Sequence, residues 1–176
     1  MIDSIPYGYE IRYACAGDLK FLEEVELAAA RMFQTNLIPE DVRNQALPLE
    51  ILESAREEGR LFIAVDKEEE PAGFIVVRRD DDEAYIVELD VHPDHQRKAL
   101  GRALIGKAVE WSISQKCSAL TLTTFLSVPW NAPYYERLGF KRLEDDEISD
   151  ALIKQLAHEK KRGLDDRVAM RKCFND

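Results

Sequence analysis

The sequence predicts a mixed α+β protein in three layers, α/β/α, with a mostly antiparallel central sheet flanked by helices. Two features carry that expectation. Three short strand-like runs, Leu61–Val65, Gly73–Val77 and Ala84–Val91, follow one another with no helix between them. Helical and strand-like segments alternate on both sides of that block. Consecutive strands ahead of a crossover helix give a mixed sheet, whereas a doubly wound parallel sheet needs regular β-α alternation. A chain of 176 residues is expected to form one domain over 1–176, because most domains run about 100–150 residues.

Tyr9–Ala14 (YEIRYA) alternates and reads as the first strand. Asp18 then stands where an N-cap belongs, ahead of LKFLEEVELAAARMF. Leu19, Leu22, Val25, Ala29, Met32 and Phe33 share one arc of that helix. Glu26 falls inside the apolar arc, either as a carboxylate at the rim or at the edge of a substrate cleft. A second helix, Glu50–Glu58, stops at Gly59, a suitable C-cap. Leu61–Val65 and Gly73–Val77, joined by the acidic turn KEEEPA, read as an antiparallel hairpin. RRDDDE at Arg78–Glu83 reads as another turn with solvated charges, and Ala84–Val91 as the third strand. HPDHQRKALG then leads into a helix over Arg102–Gln115, with Leu104, Ile105, Ala108 and Val109 on one side. Ala119–Leu126 is a strand, Ala132–Leu138 a short helix and Phe140–Leu143 a short strand. Ile148–Arg162 is helical ahead of Gly163, and Arg167–Phe174 closes the chain as a strand.

Composition narrows the function. Asp+Glu 34 against Lys+Arg 24 gives a net charge of −10, which argues against a general nucleic-acid binder. Cys15, Cys117 and Cys173 are far apart and odd in number, so they read as reduced thiols. No apolar run approaches the ~18 residues a membrane span needs. The opening MIDSIPYGYEIRYA lacks a basic, then apolar, leader. The expected location is the cytoplasm.

The segment HPDHQRKALGRAL lies between a buried strand and a helix. A helix N-terminus offers unpaired N–H groups and partial positive charge, which suits a phosphate. Arg97, Lys98 and Arg102 add a positive cluster to an otherwise acidic chain, and Gly101 removes a Cβ where the backbone would approach an anion. Neither GxxxxGK[ST] nor GxGxxG occurs.

Val91-His92-Pro93 through Leu104 resembles the coenzyme-A signature of the GNAT superfamily of N-acetyltransferases, V-x-P followed by [RQ]-x-x-G-x-[GA] at a helix start. In that alignment Lys98 takes the Arg/Gln position, Gly101 the glycine and Ala103 the last small residue. Ala99 occupies a site that is often glycine. Asn131 to Phe140 (NAPYYERLGF) resembles the family's A-x-x-[FLY]-Y-x-x-x-GF block, with Val128 where an Asn is usual.

The resemblance implies a sheet splayed open at the coenzyme-A site and acetyl transfer from acetyl-CoA, as co-substrate, to a primary amine by direct attack. It implies that the pyrophosphate is held by Gln96, Arg97, Lys98, Ala99, Leu100, Gly101, Arg102 and Ala103, through backbone N–H groups from Arg97 onward. Leu89, Asp90 and Val91 would pair with the pantetheine arm, with an oxyanion donor near Val91 and with Asn131 and Tyr135 at the cofactor. Tyr135 matches the family's general acid, since a phenol is protonated at neutral pH; Tyr134 reads as packing.

The base is less determined. Strand alternation places Ile86, Glu88 and Asp90 on one face and Val87, Leu89 and Val91 on the other, unless a bulge intervenes. Glu88 could take the amine's proton through a water, bind an ammonium group, or serve as a structural carboxylate. His92 and His95 fall beside the expected pyrophosphate rather than at the reacting carbon. Glu26, Thr123, Thr124 and Trp130 are candidates for the acceptor pocket, which suits a small-molecule or peptide amine. No histidine or cysteine spacing suggests a metal, and no GxSxG elbow suggests a serine hydrolase. Rival readings are a non-catalytic acyl-CoA sensor on the same fold and an acidic interaction module. The last strand also offers an edge that could pair in a homodimer.

Overall fold

The computed structural model describes residues 5–34 and 36–174. Its strands are β1 (Glu10–Tyr13), β2 (Leu61–Val65), β3 (Pro71–Asp80), β4 (Glu83–Val91), β5 (Ala119–Phe125), β6 (Lys141–Arg142) and β7 (Arg167–Cys173). Its helices are α1 (Leu19–Ala30), α2 (Glu40–Arg43), α3 (Leu49–Glu57), α4 (Leu100–Ser114), α5 (Ala132–Arg137) and α6 (Asp150–Lys161). The strands form one sheet in the order β1-β2-β3-β4-β5-β7-β6. Every pairing is antiparallel except β4 with β5. This is the mixed, mostly antiparallel sheet expected, with helices on both faces.

The two faces have separate cores. On one, α4 sets Leu100, Leu104, Ile105 and Ala108 against Ile75, Val77, Ala84, Ile86 and Leu120. On the other, α1 and α3 set Leu22, Val25, Leu52 and Ala55 against Leu61, Ile63, Phe74 and Val76. Strands β2 and β3 are covered on both sides, which explains why LFIAV and GFIVV are continuous apolar runs without alternation.

Several boundaries differ from the sequence reading. The turn expected at Arg78–Glu83 shrinks to Asp81 and Asp82, because β3 extends to Asp80. Arg78 is held in the strand: its guanidinium lies 4.4 Å from the centre of the Tyr85 ring and pairs with Asp80 at 2.9 Å. The first helix ends at Ala30 and α2 is an added element. The last strand is not a free edge, since β7 lies between β5 and β6. β6 covers it only at Arg171 and Met170. No helix among the described residues is long and apolar enough to cross a membrane.

Helix α6 begins with Ser149 accepting from the Leu152 N–H and packs Leu152 and Leu156 against Tyr85 and Ala169. It also carries Glu159, only 5% exposed. Arg167 reaches Glu159 with Nε at 2.9 Å, and Thr123 and Gln155 donate to the same carboxylate. Burial pushes the Glu159 carboxyl up, but the Arg167 bond and charge, with Thr123 and Gln155, outweigh it and hold it below the usual 4.5. The folded state therefore binds this proton less readily than the unfolded chain. The stabilisation is complete above about pH 4.5 and is lost as pH falls through the folded value. Glu159→Gln should cost about 3 kcal/mol in urea unfolding at pH 7, because it strands a buried guanidinium. The deficit should shrink when the two proteins are compared below pH 4.5.

Candidate active site

Strands β4 and β5 pair only over Glu83↔Ala119, Ala84↔Leu120 and Tyr85↔Thr121. Both continue beyond that point, to Val91 and Phe125, without pairing. The sheet is therefore open along the second half of β4. Its other edge stays bonded to β3 as far as Gly73↔Val91, and the His92 N–H donates to the Ala72 carbonyl at 2.8 Å. Antiparallel ladders alternate between residues that exchange hydrogen bonds and residues that do not. Counting back from His92, Asp90 faces β3, while the backbone groups of Leu89 and Val91 face the opening.

A β-bulge decides where the side chains go. Val76 pairs with Glu88 but Val77 pairs with Ile86, so Val87 is the extra residue. Ile86, Leu89 and Val91 consequently share the α4 side. The simple alternation that grouped Ile86 with Glu88 and Asp90 is corrected: Glu88 and Asp90 face the α1 side, toward Glu26. Carboxylate oxygens of Glu26, Glu88 and Asp90 lie within 4.8 Å of one another.

These carboxylates line a cavity of about 530 Å³ bounded by α1, the segment around α2, the splayed strands and α6. Burial, then the Glu88 charge, raises Glu26 to about 8, although the Leu47 N–H donates to it at 2.9 Å. Burial also raises Glu88, against a hydrogen bond with Asp90 and the charge of Arg167. Asp90 is pushed well up by burial and by both neighbouring glutamates. At neutral pH Glu26 therefore favours its protonated form, and burial opposes full charge on Glu88 and Asp90 as well. Tyr135, on the same cavity wall, is raised by burial, by Tyr134 and by the carboxylates. Its phenol stays protonated, and no described residue accepts a hydrogen bond from it. Tyr85, pushed up to about 12 by burial, shares a 2.8 Å hydrogen bond with Thr123.

The basic loop runs from a 3-10 turn at Pro93–His95 to the first turn of α4. Arg97 and Ala99 adopt positive φ, 59° and 58°, so the left-handed positions are these two and not Gly101. Gly101 is helical, and a Cβ there would meet the Tyr134 hydroxyl at 3.1 Å. Alternating left-handed residues turn successive N–H groups toward one point, which forms an anion-binding concavity. The first turn of α4 adds Leu100, Gly101 and Arg102 N–H groups along its axis. Ala103 drops out of the expected donor set, because its N–H is committed to the Ala99 carbonyl at 3.1 Å and its side chain is in the core. The loop is anchored from below: Lys98 donates to the Tyr9 hydroxyl at 2.8 Å, Tyr9 bonds His95 at 2.8 Å, and Gln96 reaches the Met32 sulfur.

The remaining sequence candidates divide. Thr124 donates to Asn131 Oδ1 at 3.0 Å, and both line the cavity. Asn131 Nδ2 is buried without a partner. Thr123 lines the cavity too, but its hydroxyl is bound within the Tyr85–Glu159 network and is not offered to a ligand. Trp130 is not on the cavity wall; it is 48% exposed and packs on Phe33 with ring centres 5.9 Å apart. Sequence reasoning missed Arg43, Tyr85 and the wall that α6 and β7 provide through Gln155, Glu159, Arg162 and Arg167. Glu159 carried the same signal as Glu26, a carboxylate on an apolar helical stripe, here seven residues after Leu152.

Comparison with known proteins agrees with this fold. The model of the acetyltransferase (GNAT) family matches residues 24–140. N-acetylglutamate synthase from Neisseria gonorrhoeae, solved with coenzyme A and N-acetyl-glutamate, superposes with a TM-score of 0.72 at 15% identity over 96% of this chain. This chain spans only 35% of that enzyme's length. The PaiA N-acetyltransferase from Thermoplasma acidophilum, in complex with coenzyme A, gives 0.71 at 18% identity, covering 94% of this chain and 99% of that one. The ribosomal-protein-S18-alanine N-acetyltransferase from Escherichia coli gives 0.64 at 20% identity, covering 96% and 95%. At these identities the likeness is one of fold.

Two outcomes follow. A left-handed Ala costs roughly 1–2 kcal/mol, so thermal midpoints should fall in the order Ala99→Gly, wild type, Ala99→Val. The glycine variant should gain about 2–4 °C for each kcal/mol recovered. Glu26 faces Glu88, Asp90, Glu23 and the more distant Arg162. Its raised carboxyl means the folded protein holds a proton that the unfolded chain loses, so stability falls as pH rises from about 4.5 to about 8. Glu26→Gln, which keeps an acceptor for Leu47, should melt above wild type at pH 8 and alongside it at pH 5.

Proposed function

We propose that this chain, which belongs to the acetyltransferase (GNAT) family, transfers an acetyl group from acetyl-CoA to a primary amine by direct attack in a ternary complex. The acceptor class is a small amine, an amino acid or a peptide amine. One juxtaposition carries the reading: a strand opening with unpaired backbone groups ends at an N–H-lined turn on one side and at a carboxylate and phenol cavity on the other.

The residues fit acetyl-CoA, which supplies the activated thioester. Leu89 and Val91 offer the N–H and C=O groups that an amide-rich pantetheine arm would pair with, as an added strand would. Arg97 to Arg102 offer main-chain N–H groups and positive charge to a pyrophosphate. The unpartnered Asn131 Nδ2 provides a further donor at the opening.

Within this frame the trio of Glu26, Glu88 and Asp90 holds the acceptor's ammonium group and takes its proton, leaving a neutral amine to attack. A raised carboxyl is a better proton acceptor than an ordinary one, and its effectiveness rises where its pKa nears the working pH. The Val91 N–H is placed to donate to the carbonyl oxygen as charge develops there. Tyr135 gives its proton to the departing sulfur as the carbon–sulfur bond breaks; the nitrogen, still carrying its second proton, then returns one to the Tyr135 phenolate, which leaves the amide neutral and the phenol restored. The raised phenol guarantees that this proton is present at neutral pH.

Acetyl-CoA titrated into the protein by calorimetry should bind, and thiol release should then depend on added amine. Tyr135→Phe should lower kcat by about 100-fold, the range for loss of a general acid, and leave acetyl-CoA binding in place. Absence of acetyl-CoA binding would overturn the reading; binding without turnover on any amine would favour the sensor.

A further inference from the structure

The acceptor cavity is electrically lopsided. Its inner end holds the three carboxylates, while the wall formed by α2 and the end of α6 holds Arg43 and Arg162. A third arginine of the cavity, Arg167, is committed to Glu159. The other two make no ion pair with any described residue. Arg162 has only a 3.1 Å hydrogen bond to the Gln45 side chain. Arg43 donates from Nη2 to the Phe33 carbonyl at 2.6 Å, and its Nε is buried with no acceptor at all. A guanidinium is always charged and offers several donors in one plane. Holding one at a cavity wall with a buried N–H unmatched is costly unless something else accepts from it.

The Phe33 contact also separates the two ends: Phe33 lies seven residues beyond Glu26 and past the end of α1 at Ala30, so Arg43 is held beyond the far end of the helix that carries Glu26. The Phe33, Ile38 and Phe125 side chains add apolar surface to the cavity wall.

We infer that the acceptor is a zwitterion, an amine that also bears a carboxylate, with its ammonium group at Glu26, Glu88 and Asp90 and its carboxylate on Arg43, beside Arg162. This deepens the acetyl-transfer reading and rests on it. A diamine or polyamine is disfavoured by the same geometry, because its second cation would meet the Arg43 guanidinium, which pairs with no described carboxylate. A plain alkylamine would leave the Arg43 Nε unmatched.

The test measures acetyl-CoA-dependent thiol release from length-matched acceptors: alanine against alaninamide, 4-aminobutanoate against 4-aminobutanamide and 1,4-diaminobutane, and 6-aminohexanoate against its amide. At least one acid should exceed its own amide in kcat/KM by about tenfold or more, as expected when a site is built around a polar group. In Arg43→Gln that acid-to-amide ratio should collapse through a higher KM for the acid, and Arg43→Lys should restore part of it. Because each ratio is taken within one protein, partial loss of folding does not distort it. Amides or the diamine used as well as the acids, or a ratio unchanged in Arg43→Gln, would overturn the inference and leave acetyl transfer standing. No thiol release with any amine, or no binding of acetyl-CoA, would bring down the transfer reading and this inference with it.

Discussion

The structure turns on a pairing that stops. Three residue pairs join β4 to β5, and beyond them two strands that both continue are left apart. Backbone N–H and C=O groups seek partners strongly, and an unpaired edge is normally placed at the rim of a sheet where water serves it. Here the unpaired edge is in the middle of a seven-stranded sheet, covered by helices on both faces. The bulge at Val87 belongs to the same event. It adds twist where the strands part, and it turns Glu88 and Asp90 to the face where Glu26 waits. One irregular residue thereby converts an open edge into an edge with chemistry on one side.

Gathering carboxylates in such a place requires compensation. Part comes from the proton that the raised Glu26 carboxyl keeps, part from the Leu47 N–H on Glu26 and part from the charge of Arg167. Arg167 is itself fixed by Glu159 and by the Thr123 carbonyl, with its guanidinium 4.6 Å from the centre of the Phe125 ring. Helix α6 is therefore more than a cover. It supplies the anion that anchors the cation that moderates the carboxylates, so stability and acidity in the cavity are set by one chain of contacts. Such networks are rarely additive, because each member's charge state depends on the others.

Much of this was legible from the residues, and the rest failed for local reasons. The order of elements along the chain and the loop before α4 followed from apolar runs, glycine positions and charge, and the opening of the sheet from the family resemblance. Glu26 stood out as a carboxylate in an apolar arc. Glu88 was recognised as costly, but its face was misassigned, because a period-two reading has no means of locating a bulge. Tyr135 came from its motif, and the cavity sets it beside the trio. Arg43 and Arg162 gave no signal: each sits at the end of a polar, exposed-looking helix, and only the approach of α2 to the end of α1 makes the first of them a cavity residue. Trp130 misled because an aromatic after a splayed strand fits a pocket wall equally well as a surface contact.

The loop shows how sequence and geometry can disagree productively. Its two left-handed positions are an arginine and an alanine, where glycine would adopt the same angles without steric cost. Non-glycine residues in that region cost roughly 1–2 kcal/mol each, and they persist only where surroundings over-determine them. The surroundings here are visible: Tyr9, just before β1, holds Lys98 and His95, and Met32, two residues past α1, holds Gln96. Side chains hold the turn that glycine would otherwise have permitted. A turn fixed in this way is stiffer than a glycine turn and loses less freedom when an anion binds, so strain in the free protein reduces the ordering cost of the bound one. The same contacts join the anion loop to β1 and α1, and α1 carries Glu26. The N–H-lined loop and the carboxylate end of the opening are thus braced from one stretch of chain, α1 and the turn that follows it.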